Sequence, residues 1–274
     1  MVVLPERRVS PYAQWARSVA RFSLVLFLLA GVAHRYGLLD TIGFFWIIGL
    51  VALLAVVGLA LAAIGFRRLW SRGEKAGRAS LAATVLAGIV LAPFALSGYF
   101  AVRYPMLHDI STDLLEPPAF TLATPARTEL MNPIGEISRE DAEIQMRAYP
   151  DIAGRRIAGS MERVLSALSA VVASRGWLPA RPIAASSLTR EISIEMQAPT
   201  FLLRYPVDAV VRLSDEGESV FVDMRMNSRY GRHDLGDGAR RIRAFMSDLV
   251  AEFDRQSLEI IDIPALPEAE NPVQ

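Results

Sequence analysis

Three long apolar stretches lie close together near the N-terminus of the 274-residue chain. They run from about Val19 to Leu39, from Ile42 to Phe66 and from Leu81 to Val102, and the last two contain no charged residue. A helix needs about 20 mostly apolar residues to cross a bilayer. Each stretch is long enough, so the sequence predicts a transmembrane region of three helices within residues 1–103.

Cationic residues flank these stretches and predict their orientation. Residues 1–103 carry eleven Lys and Arg residues against three Asp and Glu residues, which gives a net charge of +8. Nine of these cations lie around the start of the first stretch or between the second and the third. They are Arg7, Arg8, Arg17, Arg21, Arg67, Arg68, Arg72, Lys75 and Arg78. Because cytoplasmic loops carry the excess of Lys and Arg, we expect the N-terminus in the cytoplasm and all residues after Arg103 outside it.

This orientation predicts a multi-pass protein of the bacterial inner (plasma) membrane with a periplasmic C-terminal domain, and it makes the lipid bilayer a partner. A cleaved signal peptide is the alternative for the first stretch, with Gly31-Val32-Ala33 as the cleavage site. The two remaining helices would still leave the later residues outside. The second and third stretches hold no ionisable residue, so they indicate no path for protons or substrates.

Residues 104–274 have the composition of a water-soluble domain. They carry 18 cationic and 26 acidic residues, a net charge of −8. The basic half of the chain is therefore its apolar half, which is not the pattern of a nucleic-acid-binding protein. The chain has no cysteine, which excludes disulfides, thiolate zinc sites and cysteine nucleophiles.

Turn-forming residues dominate positions 104–150, which we predict to be an irregular linker segment packed on the domain. The domain itself is expected to span residues 151–263. Helical spacing of apolar residues predicts one helix from Met161 to Val172, ended by Gly176, and a longer one from Asp234 to Asp254.

Alternation of apolar and polar residues predicts the strands of this domain. They are Glu191–Met196, Asp208–Leu213 and Val220–Met226, with a last short strand at Leu258–Ile263. A polar turn at Gly217 should join the second and third as a hairpin. The element order predicts a membrane-anchored α+β protein, in which a mainly antiparallel sheet with two main helices follows the three transmembrane helices. Residues 264–274 are expected to form a disordered tail.

Two stretches of the soluble half carry a resemblance to a known family. The first motif runs from His108 to Asp113 and is followed by Pro117-Pro118-Ala119-Phe120; the second runs from Val222 to Phe245. Together they resemble the bacterial domain-of-unknown-function family 1499, in its membrane-anchored form with three N-terminal transmembrane helices. The resemblance covers about Pro105 to Asp254. It implies an extracytoplasmic domain, often membrane-tethered, and no established activity.

The candidate ligand-binding residues of the second motif lie around the start of the long helix. A helix N-terminus offers free N–H groups to an anion, and arginine forks suit phosphate and carboxylate groups. The candidates are Ser228, Arg229, Arg232, Asp234, Arg240 and Arg241. Asp234 is also expected to cap the helix. The alternative is a purely structural turn in which Arg225 and Arg229 pair with Asp223 or Asp208.

The first motif adds His108, Asp109 and Asp113 as candidates. Four oxygen-bearing side chains within six residues could hold a cation, although the spacing does not match an EF-hand loop. The alternative is that they hold the linker against the domain through Asx and Ser/Thr turns. The three histidines of the chain are scattered singly, so neither a metal nor a cofactor is predicted.

The sequence favours a membrane-tethered extracytoplasmic module that binds an envelope partner or an anionic ligand such as a phosphate or lipid headgroup. The alternative is an envelope hydrolase or a lipid-modifying enzyme. Ser228, His233 and Asp234 have the residue types of a triad, but neighbours in one short turn cannot easily place a base between nucleophile and acid. No catalytic residue is therefore assigned. A deep polar pocket around His108, Ser228 and His233 would favour the enzyme.

Overall fold

The computed structural model describes residues 8–183 and 190–261, with the backbone alone described for residues 259–261. The chain forms two compact units. The first comprises Met1–Arg103 together with Thr200–Tyr205. The second comprises Tyr104–Pro199 and Pro206–Gln274.

The first unit contains three helices, α1 at Pro11–Arg35, α2 at Thr41–Arg72 and α3 at Gly77–Arg103. All three are long and apolar enough to cross a membrane, which confirms the prediction of three such helices. Each begins before its predicted apolar stretch, because polar and charged residues continue the helix beyond the apolar core. Asp40 caps α2 by accepting hydrogen bonds from the N–H groups of Ile42 and Gly43, and Gly73 ends it in the left-handed conformation.

Small residues line the contacts between these helices. The buried core of the first unit consists of Ala16, Ala20, Val51, Ala55, Ala62, Ala83, Ala87 and Val90. Gly58 packs closely as well, since a Cβ there would lie 3.5 Å from Cβ of Ala20. Small side chains allow membrane helices to approach each other. Many larger apolar side chains are exposed on the outside of the helices, as are Leu29, Leu53 and Val85, which are all more than half exposed.

The two cationic segments of the first unit lie at the same end of the helix bundle. The backbone N–H of Lys75 donates to the carbonyl of Arg8 at 2.8 Å, which joins the N-terminal segment to the α2–α3 connection. Arg68 lies between them, 3.6 Å from Glu74 and 4.1 Å above the Tyr12 ring.

The second unit is built on one six-stranded antiparallel sheet. Its strands are β1 Asp109–Ser111, β2 Arg155–Ala158, β3 Leu178–Pro179, β4 Glu191–Gln197, β5 Val207–Asp215 and β6 Ser219–Ser228. The order is β1-β6-β5-β4-β3, and β2 pairs with the other end of β6. Its helices are α4 Arg139–Ala148, α5 Met161–Ser174 and α6 Asp237–Ile261, with a 3-10 turn at Thr124–Ala126. The predicted α+β class with an antiparallel sheet is confirmed, as is the β5–β6 hairpin, whose Gly217 has a φ of +93°.

One face of the sheet forms the apolar core with α5 and α6. Val211, Leu213 and Met224 are all fully buried there. Helix α6 begins against this face, because a Cβ on Gly238 would lie 3.0 Å from the side chain of Ile110. Trp177, just after the Gly176 turn that ends α5, stacks on Phe245 of α6 with ring centroids 5.3 Å apart.

Two predictions about local structure are wrong. Leu258–Ile261, predicted as part of a strand, continues α6, because no glycine or proline interrupts the chain between Gly238 and Ile263. Residues 262–274, including the predicted tail, lie outside the described residues. Helix α4 lies within the segment predicted to be irregular, where Ser138 caps it by accepting a hydrogen bond from the Asp141 N–H at 3.1 Å.

Candidate functional site

The two motifs pair as neighbouring strands. Asp109 lies opposite Asn227 and Ser111 opposite Arg225 in the β1–β6 register. The N–H of Ser228 also donates to the carbonyl of His108 at 2.9 Å. The first motif therefore folds back onto the second and completes one edge of the sheet.

Buried polar and charged residues occupy the sheet face opposite the apolar core. Side chains alternate between the faces of a strand, and residues paired across strands share a face. By this register one face carries Asp109, Glu195, Asp208, Arg212, Asp223, Arg225 and Asn227. We call these residues the charged face. Asp208 and Asp223 are each only 2% exposed and Asn227 is fully buried, so their charges and polar groups must be satisfied within the protein.

Residues 112–135, which we call the covering segment, supply many of the partners. Arg225 illustrates the arrangement, since its Nε and Nη2 grip the Asp109 carboxylate at 2.9 and 2.8 Å. The same guanidinium donates to the carbonyls of Pro118 and Gly135 at 3.3 and 2.6 Å, and it lies 5.5 Å above the Phe120 ring. One buried arginine thus joins β6, β1 and the covering segment.

A second cluster forms around Asp208. Arg229 grips its carboxylate through Nε and Nη2, with the shortest contact at 2.7 Å. Arg127 of the covering segment donates to Asp208 at 2.7 Å and to the side-chain oxygen of Asn227 at 2.8 Å. Burial lowers the pKa of Arg127, although the Asp208 carboxylate opposes this effect. The cluster sets two arginines on one buried carboxylate.

Arg212 forms the third cluster. Its Nη2 donates to Asp113 and Asp223 at 2.9 Å each, and its Nη1 donates to the carbonyl of Glu116 at 2.9 Å. Burial raises the pKa of Asp113, but hydrogen bonds from the Glu116 N–H and from Arg212 outweigh it, and the net pKa lies below the ordinary value. Asp113 therefore serves as an anchor for the covering segment.

Glu195 of β4 holds the covering segment without an arginine. Its carboxylate accepts hydrogen bonds from the N–H groups of Thr121, Leu122 and Ala123 at 2.6 to 3.0 Å, and from the Thr121 hydroxyl at 2.6 Å. Burial raises the pKa of Glu195, but these donors together lower it below its usual value.

In the turn before α6, the side chains of His233 and Asp234 form hydrogen bonds with nearby backbone groups. Asp234 accepts hydrogen bonds from the N–H groups of Gly236 and Gly238 at 2.8 Å each, as expected for a cap, and burial raises its pKa. The N–H of Leu235 donates to Nδ1 of His233 at 2.9 Å. This assigns the ring hydrogen to Nε2, which donates to the Tyr104 carbonyl at 3.2 Å.

The candidate arginines fall into two groups. Arg229 is held by Asp208, and Arg241 lies above the Trp177 ring while donating to the Ala198 carbonyl at 2.6 Å. Arg240 pairs with Asp237, but its side chain remains 64% exposed. Arg232 is exposed, and it forms no hydrogen bond or ion pair within residues 8–183 and 190–261.

The remaining candidates have structural contacts. Asp109 and Asp113 are each paired with an arginine. Among the described residues, no group of three or more His, Asp or Glu side chains is arranged to hold a metal ion. The hydrogen bond between Ser228 and His108 joins their backbone groups, and both ring nitrogens of His233 bond to the backbone.

Several residues of the site could not be recognised in the sequence. Asn132 donates to the carbonyls of Ser228 and Gly231 at 2.8 and 2.7 Å, and Arg127 reaches Asp208, yet both lie in a segment without periodicity. Glu195 and Asn227 occupy alternate strand positions, where a polar residue usually faces solvent.

The family comparison covers this whole arrangement. The sequence model described as "Protein of unknown function (DUF1499)" matches residues 109–249, which include the second motif, the first motif except His108, every strand and the covering segment. The chain belongs to this family. That membership confirms the resemblance of the two motifs. No curated protein and no solved structure matches the chain.

Proposed function

We propose that this DUF1499 protein is a membrane-tethered extracytoplasmic module that binds an anionic group at the turn before α6. The group belongs to a phosphate, a lipid headgroup or an acidic envelope partner. The supporting observation is the exposed guanidinium of Arg232, which forms no hydrogen bond or ion pair within the described part of the chain. Arginine stays protonated and presents a planar fork to phosphate or carboxylate oxygens.

Arg240 is the second residue of the proposed site. Its pairing with Asp237 is exposed and spans three residues of one helix, and such surface pairs contribute little to stability. A ligand oxygen could replace the Asp237 oxygen at low cost. We therefore assign ligand binding to Arg232 and Arg240. The surrounding fold is held by the other candidates, which are Arg229, Asp234, Arg241 and the first motif.

The proposed location is the bacterial inner membrane, with the N-terminus in the cytoplasm and the second unit in the periplasm. The two cationic segments share one end of the helix bundle, and the positive-inside rule assigns such an end to the cytoplasm. Alkaline phosphatase fused after Gln274 should be active and a cytoplasmic reporter fused there silent. The opposite pattern would reverse the assignment.

Thermal unfolding of the full-length chain in neutral detergent tests the ligand proposal. Inorganic phosphate should raise the melting temperature of the wild type, because a ligand that binds only the folded state stabilises it. The variant with both Arg232→Ala and Arg240→Ala should lose this response. Arg139→Ala is the control, since Arg139 is a 94% exposed arginine of α4 that also pairs with a carboxylate of its own helix. Equal responses in all three proteins would refute the site.

A further inference from the structure

The β4–β5 connection contains a short apolar turn, Thr200–Tyr205, that belongs to the same compact unit as the three membrane helices. Phe201 is 90% exposed and Leu202 is 72% exposed. The turn is closed internally, because the Arg204 N–H donates to the Thr200 carbonyl and the Tyr205 N–H to the Thr200 hydroxyl, both at 2.9 Å. It therefore presents two large apolar side chains on a fixed backbone.

The end of α1 holds this apolar turn. Nη1 of Arg35 donates to the carbonyls of Phe201 and Leu202 at 2.6 and 2.7 Å. Nδ1 of His34 lies 2.8 Å from the Leu203 carbonyl oxygen, and a Cβ on Gly31 would lie 3.7 Å from the Leu203 side chain. The apolar turn thus lies where a helix of membrane-spanning composition ends.

Exposed aromatic residues of the first unit lie near the apolar turn. Trp46 is 79% and Tyr36 is 72% exposed, and Phe45 contacts Tyr205 with ring centroids 6.0 Å apart. Trp and Tyr are enriched at both membrane surfaces. Trp70, near the cationic end of α2, lies 24 residues from Trp46, a separation of about 36 Å at the α-helical rise, which fits a bilayer core of about 30 Å with both rings at its surfaces.

Arg204 of the apolar turn and Arg35 of α1 line a recess with His34, Tyr36 and Gly37. Arg35 uses Nη1 for the turn, which leaves its other N–H groups for a further acceptor. Arg204 is exposed, and its side chain forms no hydrogen bond or ion pair within the described residues. Its φ of +52° is uncommon for a residue other than glycine. The two guanidinium groups that line this recess have the chemistry to bind a phosphate.

We propose that the apolar turn and the end of α1 form a phospholipid site on the leaflet opposite the cationic end of the bundle. Phe201 and Leu202 enter the boundary between headgroups and acyl chains, and Arg35 and Arg204 bind the lipid phosphate. A bilayer is favoured over a protein partner because the turn continues the exposed apolar and aromatic surface of the helices. This site is separate from the one proposed at Arg232 and does not depend on it.

The depth of the apolar turn can be measured directly, because the chain has no native cysteine. Phe201→Cys and Leu202→Cys would each carry a nitroxide label in the full-length chain, reconstituted in phospholipid nanodiscs. Leu130→Cys is the control, at a 71% exposed leucine of the second unit. Collisions with oxygen should exceed collisions with a water-soluble nickel chelate at positions 201 and 202, with the opposite order at position 130. Chelate access at 201 and 202 equal to that at 130 would overturn the proposal.

The role of the phosphate is tested by lipid retention in detergent, measured by native mass spectrometry. Phosphatidylglycerol should be retained by the wild type about tenfold more strongly than by Arg204→Gln, since a charge-assisted hydrogen bond contributes on that order. Arg139→Gln is the control and should retain lipid like the wild type. Diacylglycerol, which lacks phosphate, should not discriminate between the proteins. Equal retention by Arg204→Gln and the wild type, or complete displacement of the lipid by inorganic phosphate alone, would overturn the assignment.

Discussion

Both faces of the sheet in the second unit are buried, but by different chemistry. On one face Val211, Leu213 and Met224 are fully buried, and β6 contacts both α5 and α6. On the other face buried Asp208 and Arg225 are paired with oppositely charged residues under a segment that has little regular structure. Apolar packing is non-directional and tolerates many partners, whereas each buried charge needs a specific partner at hydrogen-bond distance.

The difference explains how an irregular segment obtains a fixed position. Among the large apolar side chains of residues 112–135, only Phe120 is buried. Their position is set instead by contacts such as Arg127 to Asp208 and the three N–H groups on Glu195. Burial of apolar side chains stabilises the fold on one side of the sheet. On the other side, ion pairs and hydrogen bonds fix the position of the covering segment.

The largest expected effect comes from removing a carboxylate of the charged face. Asp208→Ala would leave Arg127 and Arg229 buried without their partner, a type of change that costs about 3–5 kcal/mol. Urea unfolding of the full-length chain in detergent would measure this by tryptophan fluorescence, to which the second unit contributes through Trp177 and the first unit through Trp15, Trp46 and Trp70.

The double variant Asp208→Ala with Arg127→Ala is the control for that measurement. It should lose less stability than the sum of the two single variants, because Arg127 is then absent and Arg229 alone has lost its partner. Strictly additive losses would mean that the pair is not coupled and that the charged face does not act as described.

Acidic pH should weaken the charged face before it affects the apolar face. The folded-state pKa values of Asp113 and Glu195 lie below their ordinary values. Their contribution to stability is therefore complete above the ordinary carboxyl pKa of about 4, and it is lost as the pH falls through the lower folded-state values. Asp234, whose pKa burial raises, contributes in the opposite direction.

Melting temperatures between pH 7 and pH 3 would measure this dependence. Glu195→Gln should be less stable than the wild type at neutral pH and should lose less on acidification. A Glu195→Gln curve parallel to that of the wild type would argue against a role for this carboxylate.

The smallest change in stability is expected for a substitution outside both faces of the sheet. Arg232→Ala should change the free energy of unfolding by no more than about 0.5 kcal/mol, as exposed substitutions usually do. Arg229→Ala, three residues earlier, should be clearly destabilising because it removes a partner of the buried Asp208 carboxylate. Denaturant midpoints of the two variants separate an arginine available to a ligand from one used by the fold, and equal midpoints would remove that distinction.

The apolar face could be predicted from the sequence, and the charged face only in part. Alternation identified β4, β5 and β6, and the structural alternative for the second motif included the Arg229–Asp208 pair that the structure contains. It did not include the partner of Arg225, which is Asp109, since nothing local to a strand shows what covers it. The covering segment has no periodicity. Helix α4, which follows it, is mostly polar, and its buried residue is Gln145. Family resemblance identified the two motifs that meet, while their pairing partners, Arg127 and Asn132, lay between them without a signal.

Neighbouring residues of β6 give the most direct test, because Met224 faces the helices and Arg225 faces the covering segment. Hydrogen exchange of the full-length chain in nanodiscs would be compared for Met224→Ala and Arg225→Ala. The account predicts that Arg225→Ala accelerates exchange within residues 112–135, including the N–H groups bound by Glu195, and leaves α5 and α6 nearly unchanged. Met224→Ala should instead accelerate exchange in α5 and α6. Unchanged protection of residues 112–135 in Arg225→Ala would contradict the claim that buried charge fixes the covering segment.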